Sequence, residues 1–202
     1  MKFLKNQRKI RKAQIIEAAG LVFSQKGFAR TTIAEVAMQA GIGKGTIYEY
    51  FKSKEDLYFA VFDWFMAKTG AAVMVGIATL KGSAAEKLQA VSAALMNSWD
   101  EMRDIFALFM EFWAASASPQ TQPRFKQVFK QGYGEFRSIV AAVIREGMER
   151  GEFRTNLQVS SVAAALVGTW DALLLQAWFD ADFDHKTAAA AFMEVLIKGM
   201  LK

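Results

Sequence analysis

The sequence contains no cysteine, one histidine and two prolines among its 202 residues. Without cysteine the chain can form no disulfide and has no thiolate for catalysis or metal binding, which fits a reducing cytoplasm. A single histidine is too few for a site in which several imidazoles hold a metal. This residue, His185, lies in the acidic segment DADFDHK, so we expect it to be solvated near a helix start. We expect no metal and no other cofactor.

Patterns typical of enzymes, secreted proteins and membrane proteins are also missing. No glycine-rich phosphate loop follows a strand, and no serine or aspartate stands in a recognised catalytic pattern. The start, MKFLKNQRKIRK, carries too much charge for a signal-peptide core. Uncharged runs stay shorter than the roughly eighteen residues that a membrane span needs. We therefore assign no reaction, and we expect a cytoplasmic protein with no membrane partner.

Apolar residues recur along the chain at three- and four-residue steps, the spacing of amphipathic helices, and no alternating strand pattern is present. A hydrophobic content of 53% is enough for a sizeable core. We predict an all-α fold of about nine helices. The predicted helices begin near Arg8, Ile33, Lys44, Ser53, Ala84, Met102, Arg124, Val159 and Lys186.

The segment TTIAEVAMQAGIGKGTIYEYFKSKEDLY, residues 31–58, has the pattern of two short helices joined by a glycine turn. Thr32 and Glu35 have the spacing of a capping box, so a helix begins at Ile33, and Gly41 ends it. A second helix is predicted over 44–51. Two such helices form a helix-turn-helix.

The second helix has one inward and one outward face. Ile47 and Phe51 are one turn apart and are expected to face inward. Hydrogen-bonding and stacking groups then face outward, as a helix that reads DNA requires. These outward residues are Gly45, Thr46, Tyr48 and Glu49, flanked by Lys44 and Tyr50.

Charge divides the chain in two. Residues 1–54 hold eleven Lys or Arg and three Glu, a net charge of +8, whereas residues 55–202 hold fourteen basic and seventeen acidic residues, a net charge of −3. A basic end that coincides with a helix-turn-helix is typical of a nucleic-acid-binding domain. We predict a DNA-binding domain over 1–54 and a second helical domain over 55–202. The basic arm either contacts DNA or is solvated; its residues are Lys2, Lys5, Arg8, Lys9, Arg11 and Lys12.

The long first helix, FARTT, the helix-turn-helix, IYEYFKSKEDLY and the helices beyond resemble the TetR family of bacterial transcriptional repressors. The close resemblance covers Ile10 to Tyr58. It implies a three-helix DNA-binding domain followed by a helical ligand-binding and dimerisation domain. The implied function is a repressor that a largely apolar or amphipathic small molecule releases from a palindromic, double-stranded operator.

The resemblance also implies roles for individual residues in the basic domain. Thr32 and Tyr48 would contact phosphates, and Lys54 would lie at the phosphate-facing start of helix four. Gly43 departs from the family, which often has a serine cap there. The residues that would approach the bases are Lys44, Gly45, Thr46 and Tyr50.

The second domain is rich in Trp, Phe and Met, which either fill an ordinary core or adapt to an irregular apolar ligand. The resemblance implies an effector pocket among helices four to eight. Two acids interrupt this apolar field, Glu111 and Asp171, and each either meets a cationic ligand group or faces solvent or an interface. The predicted effector contacts are Phe65, Met66, Trp99, Phe109, Met110, Trp113, Tyr133, Phe136 and Trp170.

The last two helices carry more apolar surface than one core-facing stripe needs. Either all of it fills the core of one chain, or a two-fold mate covers the surplus in a four-helix arrangement. One short DNA-reading helix contacts few bases, which favours two paired DNA-binding domains and hence a homodimer. The predicted interface residues are Leu166, Trp170, Leu174, Phe192, Leu196 and Met200.

Two other classes of protein compete with this interpretation. One is a helical protein-interaction module without sequence-specific DNA binding. The other is a membrane-surface binder, which the basic arm suggests, although the first helix lacks the broad apolar face with interfacial tryptophans that such proteins favour. A test of binding to duplex DNA would distinguish a transcriptional regulator from both of these classes.

Overall fold

The computed structural model describes residues 2–79, 82–115 and 122–202. Over this part of the chain it is built of helices, with one isolated bridge between Phe153 and Leu201, so the predicted all-α class is confirmed. Nine helices lie in the described ranges: α1 Lys2–Lys26, α2 Ile33–Gln39, α3 Lys44–Tyr48, α4 Lys54–Thr79, α5 Ala84–Asn97, α6 Trp99–Ala115, α7 Gln122–Glu149, α8 Val159–Phe179 and α9 His185–Met200.

Most predicted helix starts agree with the structure within two residues, and three boundaries differ by more. α1 begins at Lys2 instead of Arg8, because lysine, arginine and glutamine are good helix formers and let the helix extend into the basic arm. α3 ends at Tyr48, where the amides of Tyr50 and Phe51 both turn back to the carbonyl of Ile47. α6 begins at Trp99, three residues earlier than predicted. The predicted loop SASPQTQP falls mainly on residues 116–121, outside the described residues.

The chain divides into two compact units, of which the first comprises Met1–Ala67 and Met102–Lys126. Its core contains the predicted inward faces of α1 to α4: Ile15, Ala19, Val22, Phe23, Ile33, Val36, Ala37, Ile47, Phe51, Leu57, Val61, Phe62 and Phe65 are buried. Aromatic rings from α6 and the start of α7 complete this core, with Phe112 and Phe125 both almost fully buried.

The second unit comprises Lys68–Glu101 and Gln127–Lys202. α5 packs along α9, and α8 contacts both helices. The indole nitrogen of Trp170 on α8 donates to Ser92 Oγ on α5 at 2.9 Å, so the largest buried side chain also has its polar atom satisfied. At the unit's edge, Lys87 forms an ion pair with Glu146 at 2.7 Å.

α8 is apolar on both its inward and its outward face. By length and composition alone it is apolar enough to cross a membrane, a test that core helices of water-soluble proteins also pass. Its inward line is buried within the second unit and includes Ala163, Leu166, Trp170 and Leu174. The outward side consists mostly of small residues: its exposed residues include Ala164, Ala165, Gly168 and Ala172, with one acid, Asp171, among them, and it ends at Phe179, which is 75% exposed.

This burial changes the predicted dimer interface. Leu166, Trp170, Leu174 and Met200 are all buried within a single chain, so they have no surface to offer a partner in this conformation. Phe192 and Leu196 are half-buried and keep some accessible surface. An interface that uses α8 and α9 must therefore be formed by the exposed residues beside these, and the choice of interface residues stays a prediction.

Two glycines with left-handed backbones allow a matched test of how the first unit is packed. Gly27 has φ +76° and Gly41 has φ +65°, yet an added Cβ would lie 2.5 Å from Glu111 Oε1 at Gly27 and would meet nothing within 4 Å at Gly41. Gly41→Ala should cost about 1 to 2 kcal/mol of unfolding free energy for its backbone alone. Gly27→Ala should cost more, because the Glu111 carboxylate would have to move away from the new methyl group and would weaken its hydrogen bonds with Phe28 and Tyr58. Urea unfolding measures both, and equal losses would contradict this packing.

Candidate nucleic-acid interface

The first helix of the helix-turn-helix begins with the predicted capping box. Thr32 Oγ1 accepts from the amide of Glu35, and the Glu35 carboxylate accepts from the amide of Thr32 at 2.8 Å. Lys26, at the end of α1, forms an ion pair with Glu35 at 2.6 Å. The hydrogen bonds from Lys26 and then Thr32 lower the pKa of Glu35 to about 2. Glu35 is thus ionised at neutral pH and ties α2 to α1.

The second helix, α3, is short and lacks a side-chain cap. Its N-cap is Gly43, which has an extended backbone and no side chain to accept an amide. Two buried side chains, Ile47 and Phe51, anchor α3 and the turn that follows it. Since five residues are too few for a helix to be stable alone, packing holds α3 in place.

The predicted outward face is accessible. Lys44, Gly45, Tyr48 and Glu49 are exposed, while Thr46 and Tyr50 are half-buried. An added Cβ at Gly45 would meet nothing within 4 Å, so this part of the backbone is open to a close approach by another molecule. The face therefore offers an ammonium group, a carboxylate, three hydroxyl groups and an unshielded backbone along α3 and the two residues that follow it.

Thr32 and Lys54 already have partners inside the protein. The Thr32 hydroxyl bonds the Glu35 carboxylate at 2.9 Å, besides accepting in the cap. Lys54 Nζ donates to three backbone carbonyls, those of Phe28 at 2.8 Å, Ala29 at 3.3 Å and Thr31 at 3.0 Å. These bonds use the donors of the ammonium group. Lys54 thus closes the loop after α1, and its contact with phosphate stays a prediction.

A network that the sequence analysis missed holds the same loop from the other side. Glu111 on α6 accepts from the amide of Phe28 at 2.8 Å and from the hydroxyl of Tyr58 at 3.3 Å. Burial raises the pKa of Tyr58 above its ordinary value, and the Glu111 carboxylate raises it further. The phenol therefore stays protonated and donates. Glu111, one of the two acids considered for a cationic ligand, is accordingly engaged with the protein.

The rings around Tyr58 form a continuous aromatic cluster in the first unit. The Tyr58 ring centroid lies 4.2 Å from that of Phe28, 5.3 Å from that of Phe23 and 4.0 Å from that of Phe112. Rings at these separations add to the stability gained from burial alone. The position of α1 and the helix-turn-helix therefore depends on residues of α4 and α6.

The predicted effector residues are distributed over both units. In the first unit Phe65 is buried, Met66, Phe109 and Met110 are half-buried, and Trp113 is 49% exposed. In the second unit Trp99 and Trp170 are buried, and Tyr133 and Phe136 are half-buried. Two pairs are in ring contact: Phe65 with Phe109 at 6.3 Å, and Phe136 with Trp170 at 5.6 Å. Their contact with an effector stays a prediction.

The other acid, Asp171 on α8, and Tyr133 on α7 influence each other's pKa: the phenol lowers that of the carboxyl, and the carboxylate raises that of the phenol. Residue 171 is exposed, yet loss of solvation around the carboxyl raises its pKa to about 6. The ring of Tyr133 stacks against that of Phe129, with centroids 6.3 Å apart. The carboxyl thus lies beside aromatic surface.

His185 is not a freely solvated residue, contrary to the prediction. It is half-buried, its Nε2 lies 3.2 Å from the carbonyl oxygen of Met96, and its ring lies 6.1 Å from that of Trp99. The prediction failed because the start of α9 packs against the end of α5, a contact that sequence spacing does not encode.

Comparison with known proteins supplies independent evidence. The family model described as bacterial regulatory proteins, tetR family, matches residues 15–61, and that described as BetI-type transcriptional repressor, C-terminal, matches residues 84–201. A similar curated protein is the fatty acid metabolism regulator of Bacillus subtilis, 26% identical over 96% of this chain and 97% of that protein.

Two solved structures of similar fold contain a ligand. FadR from Bacillus subtilis in complex with stearoyl-CoA has a TM-score of 0.73 and 26% identity, covering 93% of this chain and 98% of that one. A transcriptional regulator from Saccharomonospora viridis in complex with choline has a TM-score of 0.78 and 19% identity, covering 95% and 97%. The second match supports the fold alone.

The family matches cover the helix-turn-helix and most of the helical region that follows it. Members of this family bind operator DNA and small-molecule effectors, and act as dimers. This chain belongs to the TetR family and is a ligand-responsive, DNA-binding transcriptional regulator with a BetI-type C-terminal region.

Proposed function

We propose that the outward face of α3 reads a palindromic operator and that the protein works as a cytoplasmic repressor without catalytic activity. The observation that carries this proposal is the accessible face of Lys44, Gly45, Thr46, Tyr48 and Tyr50 on a basic N-terminal quarter. The regulatory functions of its relatives support the absence of catalysis. We place the DNA-binding domain at 1–54 and the effector and dimerisation domain at 55–202.

Two kinds of contact are expected at this face. Phosphate contacts supply affinity that is independent of sequence and sensitive to salt, whereas contacts to base edges supply discrimination. Tyr48, at the exposed end of α3, is assigned to phosphate, and Lys44 and Thr46 are assigned to bases. Thr32 and Lys54 contribute only where DNA competes with their internal hydrogen bonds.

This division can be tested with an operator duplex selected from a random pool. Tyr48→Phe removes one hydroxyl and should weaken operator and random duplexes by the same factor. Lys44→Ala should weaken the operator more than the random duplex, by about 1 to 3 kcal/mol of discrimination. Fluorescence anisotropy over a salt series measures affinity and slope. Lys130→Ala, an exposed lysine on α7, is the matched control. If Lys44→Ala leaves the ratio of the two affinities unchanged, the assignment of Lys44 to bases is wrong.

The effector is proposed to have an apolar body and a cationic group that meets Asp171. Loss of solvation raises the pKa of this carboxyl, and the neutral phenol of Tyr133 lowers it. A desolvated carboxylate without a cation is costly, and a bound cation would relieve that cost. Aromatic rings nearby favour a quaternary ammonium, which binds to the faces of such rings. The Saccharomonospora protein was solved in complex with choline, a ligand of this charge.

The raised pKa of Asp171 determines in which direction stability and cation binding change with pH. Since the folded pKa of about 6 exceeds the unfolded value of 3.8, ionisation destabilises the fold as pH rises through this interval. Choline should therefore bind better at pH 7.5 than at pH 5, and Asp171→Asn should abolish that difference while raising the unfolding free energy at pH 7.5. Calorimetric titration with choline, and with butyrate as an anionic control, measures this. Stronger binding of butyrate at pH 7.5 would contradict a cationic effector.

The dimer interface is proposed to lie on the exposed side of α8 and α9. On α9, Val195 is 72% exposed, with Ala191 and Gly199 exposed one turn to each side. On α8, the exposed small residues around Gly168 leave room for a second helix to approach closely. These positions replace the buried residues of the sequence-based prediction, and Phe192 and Leu196 remain at the edge.

A pair of glycines tests this interface. Gly168 on α8 and Gly134 on α7 both lie in helices, and an added Cβ would meet nothing within 4 Å at either. Gly168→Arg should leave the chain folded but convert it to a monomer at micromolar concentration. Operator affinity should then fall at least tenfold, roughly, because the two DNA-binding domains no longer bind together. Gly134→Arg should remain dimeric. Sedimentation velocity distinguishes them, and a dimeric Gly168→Arg would exclude this surface.

A further inference from the structure

The N-terminal half of α1 lies along the end of the reading helix. Nη2 of Arg8 donates to the backbone carbonyl of Glu49 at 3.2 Å, although the two residues are 41 positions apart. The guanidinium carbon of Arg8 also lies 5.5 Å from the centroid of the Tyr50 ring. One side chain therefore contacts both the last carbonyl of the reading helix and the aromatic residue that follows it.

The carbonyl that Arg8 contacts is one that the helix itself leaves without a partner. Glu49 is the C-cap of α3, and the final carbonyls of a helix have no intrahelical donor. Cationic side chains stabilise such an end because they bond the carbonyl and oppose the negative end of the helix dipole. A helix of only five residues depends on such outside support.

The same face of α1 supports the next residues of the turn. One turn after Arg8, Nζ of Lys12 lies 5.5 Å from the centroid of the Phe51 ring. Phe51 is buried, so this contact fixes α1 against the anchor of the reading helix. Two basic side chains of α1 thus follow the path of the backbone from Glu49 to Phe51.

We propose that Arg8 is a positioning residue for sequence discrimination, which it supports by holding the end of α3 and the ring of Tyr50 where bases can be read. This inference rests on the proposed DNA-reading face. A planar guanidinium can donate within its plane while its face covers an aromatic ring, whereas an ammonium is a compact point charge without that geometry. Arg8 is therefore distinguished from a simple phosphate contact by its shape as well as its charge.

The alternative role is a contact with the DNA backbone. Arg8 lines an open cleft together with Gln7, Arg11, Glu49 and Tyr50, and Arg8 and Arg11 place two positive charges there. A phosphate contact needs the charge and tolerates lysine, because most of its affinity comes from release of counterions. The two roles thus differ in their response to a substitution that conserves charge.

The test compares Arg8→Lys with Arg11→Lys, the same chemical change one turn further along the same cleft. Arg8→Lys should weaken the selected operator five- to tenfold, roughly, weaken a random duplex less than twofold and leave the salt slope unchanged, since the charge is retained. Arg11→Lys should change operator affinity less than Arg8→Lys does. Anisotropy titrations over a salt series measure both, and thermal melting confirms that each variant is folded.

A double-mutant cycle with Tyr50→Ala measures whether Arg8 affects discrimination through Tyr50, which a merely structural role of Arg8 would not produce. If Arg8 acts through Tyr50, Arg8→Lys should cause no further loss of discrimination in the Tyr50→Ala background. If the Arg8→Lys variant distinguishes the operator from the random duplex as well as the wild type does, the proposal is wrong. It is also wrong if the losses of discrimination caused by Arg8→Lys and Tyr50→Ala simply add in the double variant. The proposal would also be overturned if Arg8→Gln weakened binding to both duplexes equally and lowered the salt slope by about one, as the loss of a phosphate contact would. If Tyr50→Ala and Lys44→Ala both leave discrimination intact, the DNA-reading face itself has failed.

Discussion

The hydrogen bond between Tyr58 and Glu111 connects separate parts of the first unit. It joins α4 to α6, and the same carboxylate accepts the amide of Phe28 at the end of α1. The Tyr58 ring packs against rings from α1, the loop after it and α6. A change at this point would therefore affect both helices and the loop after α1, and α1 itself contacts the end of the reading helix through Arg8.

The loop after α1 is held by two opposite charges from different helices. The carboxylate of Glu111 accepts a hydrogen bond from the amide of Phe28, and the ammonium of Lys54 donates to the carbonyls of Phe28 and Thr31. Because these bonds are directional, a rotation or shift of α6 cannot leave the loop unchanged. An effector that moves α6 would alter DNA affinity only to the extent that it binds the two arrangements unequally, typically by about 1 to 3 kcal/mol.

Local signals in the sequence predicted the helices and the reading face, whereas contacts between distant residues were missed. The Thr32 and Glu35 capping box, the stop at Gly27 and the inward pair Ile47 and Phe51 all depend on residues a few positions apart. Arg8 with Glu49 joins residues that no local pattern relates. The burial of the α8 residues chosen for the interface was missed for another reason: a helix that is apolar around most of its girth carries little periodicity to show which side faces the core.

The exposed small residues on the outer side of α8 have a consequence for the lifetime of this regulator in the cell. A chain that leaves this side uncovered exposes apolar surface, so association stabilises the folded state by mass action. Resistance to unfolding then rises with the number of copies present, and newly made chains at low abundance are the most vulnerable to proteases. A repressor held at few copies per cell would accordingly be cleared faster than one that is abundant, and small changes in synthesis would be amplified in the amount of protein available to bind DNA.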